Sequence, residues 1–270
     1  MKNVCAMYFS GTGTTEKIVT TISKEISNEL KISYSKFDFT IKNVRNIQKG
    51  FTNEDVVVFG VPVIAGRVPN LLLKYLEGVK GNGALVVPIV LFGNRNFDDA
   101  LIELRNILAE NGFVPIAAGA FVGEHSFSNT LGMNRPDGRD LEIASQFARD
   151  IAEKIKSQRD LSKIIKVRGE DPIRPYYQPR DSKGNPIDIR KVKPKTNAQC
   201  INCKLCVALC PLGSIDYDNV REILGVCMKC CACVKKCPTG AKYYDDANYL
   251  YHQHELEDQY ARRAEPEIFL

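Results

Sequence analysis

VCAMYFSGTGTTEKIVTTI, residues 4 to 22, joins an apolar run to an amphipathic stretch through a turn rich in glycine and hydroxyl side chains. Val4 to Phe9 reads as a buried strand, and the apolar positions from Thr14 to Leu30 recur at helical spacing. Between them lie Ser10, Gly11, Thr12, Gly13, Thr14 and Thr15. Glycines let backbone amides turn inward, and the hydroxyls and the helix start add donors, so the turn is a cradle for a dianion. A triphosphate loop would need G-x4-G-K-[ST] and a dinucleotide fingerprint G-x-G-x-x-G. Here there is no lysine, and Glu16 stands at the third glycine position.

The pattern continues outward from this turn. Further strands read at Ile32 to Phe37, Val56 to Phe59, Ala84 to Phe92 and Val114 to Phe121. Helices read at Pro69 to Leu76, Phe97 to Asn111 and Arg139 to Ser157. Alternating strands and helices predict an α/β fold over residues 1–157, a doubly wound five-stranded parallel sheet covered on both faces.

Three loops at the carboxyl ends of the strands then become candidate ligand contacts, because ligands of such sheets sit at the switch point. The first, S-x-T-G-x-T, resembles the phosphate loop of the flavodoxins, a resemblance that implies FMN. After the third strand come Pro62, Val63, Ile64, Gly66, Arg67 and Val68, an apolar, glycine-bearing loop suited to pack on the ring. After the fourth, Gly93-Asn94-Arg95-Asn96-Phe97-Asp98 is similar to the G-N-R-x-[YF]-D segment of flavodoxin-like proteins, which implies that its amides meet the pyrimidine end and that Phe97 packs nearby. After the fifth, Glu124 and His125 reach the same sheet edge. The chain has no tryptophan, so the stacking aromatic common in flavodoxins is replaced or missing.

Residues 200–237 carry two copies of C-x2-C-x2-C-x3-C-P: Cys200, Cys203, Cys206, Cys210 before Pro211, and Cys227, Cys230, Cys233, Cys237 before Pro238. Three thiolates at two-residue gaps let a short backbone wrap three corners of a cubane, while the fourth, a helical turn on, points elsewhere. Structural zinc pairs two C-x2-C hairpins across a longer spacer or adds histidine, and no histidine lies in this segment. The run resembles that of the bacterial ferredoxins and implies two [4Fe-4S] clusters with crossed ligands. One is held by Cys200, Cys203, Cys206 and Cys237, the other by Cys227, Cys230, Cys233 and Cys210. Cys5 reads as a buried apolar residue and Cys231 as an unligated filler.

Residues 158–196 form a proline-bearing linker with 11 basic and 5 acidic side chains, an excess of +6 that accounts for the formal net charge of +5. Tyr176 and Tyr177 suggest that it lies against the body, and Arg190, Lys191, Lys193 and Lys195 read as a solvated patch or a dock for an acidic redox protein. Each oxidised cluster adds about −2 and a flavin phosphate nearly −2, which brings the loaded protein close to neutral. No nucleic-acid partner is implied. No apolar run approaches the ~20 residues of a membrane helix. Reduced thiols beside oxygen-sensitive clusters point to the cytoplasm, such as that of an anaerobe.

Almost the whole chain thus resembles the flavodoxin-ferredoxin fusion proteins of anaerobic bacteria, with a ferredoxin segment at 197–245 and a helical tail at 246–270. The resemblance implies low-potential electron transfer among FMN, two clusters and redox partner proteins, more a carrier than an enzyme. The alternative is an FMN-dependent reductase of a small substrate fed through the clusters.

Overall fold

The computed structural model describes residues 1–161 and 163–270. Its α/β part runs β1 (Asn3–Tyr8), α1 (Thr14–Leu30), β2 (Ser33–Asp38), β3 (Asp55–Pro62), α2 (Asn70–Leu76), β4 (Leu85–Phe92), α3 (Ala100–Glu110), β5 (Val114–Pro115), β6 (Ala118–Val122) and α4 (Gly138–Lys156). Strands β2, β1, β3, β4 and β6 lie side by side in that order, all parallel. With β5 and β6 counted as one interrupted strand this is the order 2-1-3-4-5, whose switch point falls between β1 and β3. The fold is flavodoxin-like.

Strand parity builds the two layers of core. Cys5, Met7 and Phe9 face one side with α2 and α3, while Val4, Ala6 and Tyr8 face the other with α1 and α4. A parallel sheet buried on both faces needs such continuous apolar runs. Helix α1 answers with Ile18, Val19, Ile22 and Ile26 buried at spacings of three and four. Helix α4 starts at a capping box in which Asp137 and Asp140 each satisfy the other's backbone.

The expected five-stranded, wholly parallel sheet needs two corrections. Ile116 and Ala117 break the fifth strand into β5 and β6. The edge is then closed by an antiparallel strand from the far end of the chain, β9 (Glu267–Phe269), whose Ile268 lies opposite Gly119. Helix α3 also starts three residues later than its pattern predicts. Asp98 takes a left-handed backbone there (φ 45°), and Asp99 stands at the N-cap.

Residues 163–196 run along the α/β unit. Asp99 accepts four hydrogen bonds from this segment: from the Glu170 and Arg174 amides and from Nε and Nη2 of Arg174. The Arg174 guanidinium foremost holds the buried Asp99 carboxyl well below the usual carboxylate range. Tyr176 Oη donates to Val68 O at 2.8 Å, and the Tyr177 amide donates to Ala65 O at 2.8 Å.

The cysteine-bearing part contains β7 (Lys195–Thr196), the single-turn helices α5 (Leu205–Ala208) and α6 (Ala232–Lys235), and β8 (Lys242–Tyr243), which pairs with β7. Its repeat is visible in the backbone. Positive φ recurs at Asn202 and Lys229 and at Lys204 and Cys231, each pair 27 positions apart, as are Cys200 and Cys227. Helix α7 (Ala247–Gln259) then packs between this part and the loop after β6, with Ser128 Oγ donating to Glu257 at 2.5 Å. No helix among the described residues is long and apolar enough to cross a membrane.

Candidate functional site

The turn after β1 leaves a row of donors without partners. The Ser10 amide donates to Thr40 Oγ1 at 2.8 Å, and Ser10 Oγ accepts from the Glu16 amide at 3.0 Å, which pins the first turn of α1. Between them, the amides of Gly11, Thr12, Gly13, Thr14 and Thr15 have no protein acceptor among the described residues. Gly13 turns the chain with φ 104°, a backbone that side chains rarely adopt. Five consecutive amides at the start of a 17-residue helix form a nest for an anion.

The other loops expected at the ring are tied to the rest of the chain. Arg67 forks onto the carboxylate of Glu103, at 2.7 Å from Nε and from Nη2, and its Nη1 donates to Arg174 O at 2.5 Å. Val63 donates its amide to Leu91 O, Ile64 and Arg67 close a tight turn on each other, and Pro62 is the last residue of β3. Gly66 and Val68 are buried in that turn. Asn94 holds the C-terminal segment: its Nδ2 donates to Tyr260 O and Arg262 O, and its Oδ1 accepts from the Ala264 amide. Arg95 pairs with Asp98 beneath the Tyr177 ring, while Asn96 Oδ1 caps the Asp98 amide. Phe97 is fully buried in the core under the Arg168 guanidinium. For Arg67, Asn94, Arg95 and Phe97 the reason is non-local: these side chains find partners in α3, the linker and the tail.

Glu124 binds Lys235 of α6, and His125 lies against Gly93 with its Nδ1 accepting from the Phe127 amide at 3.2 Å. Burial first, then the charges of His252, Lys235 and Arg95, bring the His125 pKa down to about 4, against an upward pull from Glu257. In the unfolded chain the ring titrates near 6.5. Between pH 6.5 and 4 only the unfolded chain binds the proton, so stability rises with pH across that window and is lost as pH falls through it. Urea unfolding of His125→Gln should show a shallower loss there. An unchanged slope would mean that another group carries it.

The eight motif cysteines surround two cavities. Cys200, Cys203, Cys206 and Cys237 line one, and Cys210, Cys227, Cys230 and Cys231 line another, both partly open to solvent. Cys233 touches both. Among the described residues no three His, Cys, Asp or Glu side chains stand close enough to hold a single metal ion. Burial pushes Cys230 up to about 12, so this thiol ionises when a cation replaces the proton.

The two sites share a wall. A Cβ built on Gly11 would lie 3.1 Å from Cβ and 3.5 Å from Sγ of Cys230. Around this contact Arg45 Nη2 donates to Pro211 O at 2.6 Å, Lys235 Nζ donates to Ser128 O at 2.6 Å, and Met228 packs on the core layer of Phe9 and Val63. Arg45 is not singled out by the sequence, since it works through a neighbour more than 150 residues away.

No family model matches the sequence, and no curated protein matches it. Solved structures do match its α/β part. A flavodoxin from the domain Archaea is 17% identical, with 58% of this chain and 99% of that one covered and a TM-score of 0.41. The flavodoxin of Streptococcus pneumonia TIGR4 is 16% identical over 56% of this chain and 99% of its own, with a TM-score of 0.41. Oxidised Flavodoxin 2 from Bacillus cereus is 19% identical over 57% and 99%, with a TM-score of 0.39.

Proposed function

We propose that this chain is a low-potential electron-transfer protein that binds FMN through the turn after β1 and two [4Fe-4S] clusters through the crossed cysteine sets. The contact between Gly11 and Cys230 carries the reading: the anion nest backs directly onto a thiol of the second cavity. The cavity linings support the crossing, with Cys237 beside the first three thiols and Cys210 beside the second three. The free amides of residues 11–15, with the hydroxyls of Ser10, Thr12, Thr14 and Thr15, are the donor set for a phosphate, and Pro62, Val63 and Ile64 offer an apolar wall beside it. When bound, such clusters supply one-electron exchange, and a flavin takes one electron or two.

The protein's own share is positional. Arg45 and Lys235 lock the cysteine-bearing part onto the β2 and β6 loops, so the two sites keep one fixed separation. Carboxyl-end loops tied to the linker and tail through Arg67, Asn94 and Tyr177 favour a carrier over a reductase with an open substrate slot. A reducing cytoplasm and protein redox partners follow from this reading. The test is composition. Protein purified without oxygen should contain about eight irons, eight sulfides and one FMN per chain. Zinc in place of iron would sink the cluster assignment, and eight irons without flavin would sink the FMN assignment alone.

A further inference from the structure

The 27-residue repeat places two tyrosines at equivalent positions. CPLGSIDY ends in Tyr217 and CPTGAKYY ends in Tyr244. Their surroundings differ completely. Tyr217 is 65% exposed, lies beneath the ammonium of Lys204, and is no part of the first cavity's lining. Tyr244 lines the second cavity, and its Oη stands 3.7 Å from Sγ of Cys227.

Helix α7 makes the difference. Its Tyr249, 2% exposed, stacks on the Tyr244 ring with centroids 4.1 Å apart and planes 15° from parallel. Phe127 backs Tyr249 at 4.7 Å, and Tyr249 Oη lies 3.5 Å from Sγ of Cys231. The stack holds the Tyr244 ring in one orientation and leaves its hydroxyl at Cys227. A thiolate that ligates iron has no proton to give, so in the loaded protein the phenol is the donor of this pair.

We infer that Tyr244 is a positioning residue whose O–H bond to the Cys227 thiolate raises the reduction potential of the second cluster; the equivalent Tyr217 makes no such bond at the first, where the Thr239 hydroxyl lies 3.7 Å from Sγ of Cys237 instead. This rests on the cluster reading above. Reduction adds negative charge that the ligand sulfurs share, and a donor aimed at such a sulfur stabilises the reduced form more than the oxidised one. The residues that bury Tyr244 come from the linker and the tail, Ile187, Ile189 and Tyr249, so the asymmetry between two repeats of one motif is imposed from outside the repeat.

The experiment is an anaerobic EPR redox titration of the full chain, with iron counted first, for the native protein, for Tyr244→Phe and for protein carrying 3-fluorotyrosine at position 244. The phenylalanine variant keeps the stack and loses the donor. Its second-cluster midpoint should fall, with the oxidised-to-reduced ratio at a fixed potential rising about tenfold, or about 59 mV for one electron, while the first cluster's midpoint stays in place. Fluorotyrosine, a more acidic phenol, should move the same midpoint upward. Opposite shifts from two isosteric rings are beyond a merely structural role. Midpoints unmoved in both, or moved in the first cluster, would overturn the assignment of Tyr244. If Tyr244→Phe does not assemble, the direction of the fluorotyrosine shift decides. An iron count far below eight in the native protein would overturn the cluster reading itself, and the inference with it.

Discussion

Changing Cys210 to alanine should empty the cavity lined by the distant Cys227, Cys230 and Cys233 and leave the one lined by its sequence neighbours filled. Iron should fall from about eight to about four per chain, and one of two EPR signals should disappear. The expectation comes from where the fourth thiol of each motif stands. Cys210 follows the single turn of α5 and lines the second cavity, where the Ser214 amide donates to its sulfur at 3.3 Å. Cys200, Cys203 and Cys206 share the first cavity with Cys237, which the substitution does not touch. The reciprocal variant, Cys237→Ala, should remove the other signal. If each variant instead loses the signal of its own run, the motifs fold as independent loops and the crossing is wrong.

The second large effect is on stability. Arg135 is 5% exposed, and its guanidinium is spent on two partners: the fully buried carboxylate of Asp140, with Nη2 to Oδ1 at 2.6 Å, and the Ala264 carbonyl, 3.1 Å from both Nη1 and Nη2. Asp140 also caps the start of α4 by accepting the Asp137 amide at 2.9 Å. Arg135→Met leaves a buried charge without its main partner, a change that costs about 3–5 kcal/mol in comparable sites. Anaerobic urea unfolding should show that loss. A loss below about 1 kcal/mol would mean that Arg263, 3.6 Å from Asp140, takes the carboxylate over. The exposed pair of Lys163 and Asp160 is the control, and its removal should change nothing measurable.

Local rules carried much of this architecture. The strands from β1 to β4 and the helices α1, α2 and α4 announce themselves because their apolar periodicity is set within a few residues. The two cysteine runs that line the cavities are legible for the same reason, since their spacing is a local property. What the sequence does not reveal is partnership at a distance. Strand β9 is three residues long, follows Pro266, and is a strand only because β6 offers it an edge. Arg67 and Asn94 sit in loops whose residue types suit a flavin ring, yet Glu103 and Ala264 are what they bind. Tyr217 and Tyr244 are equal in the repeat and unequal in the molecule, because α7 covers only one of them.

The pairing of β6 with β9 also has a consequence in time. Residues 123–266 separate the two strands, so at 5–20 residues per second a ribosome needs roughly 7–30 s between finishing one and starting the other. Throughout that interval the emerging sheet shows a bare row of amides and carbonyls along β6, the kind of margin on which neighbouring nascent chains can join. Ala118, Gly119 and Ala120 are small and uncharged and offer that margin little protection. The last strand to be made thus ends the period in which this chain is most open to chaperones and to its own copies.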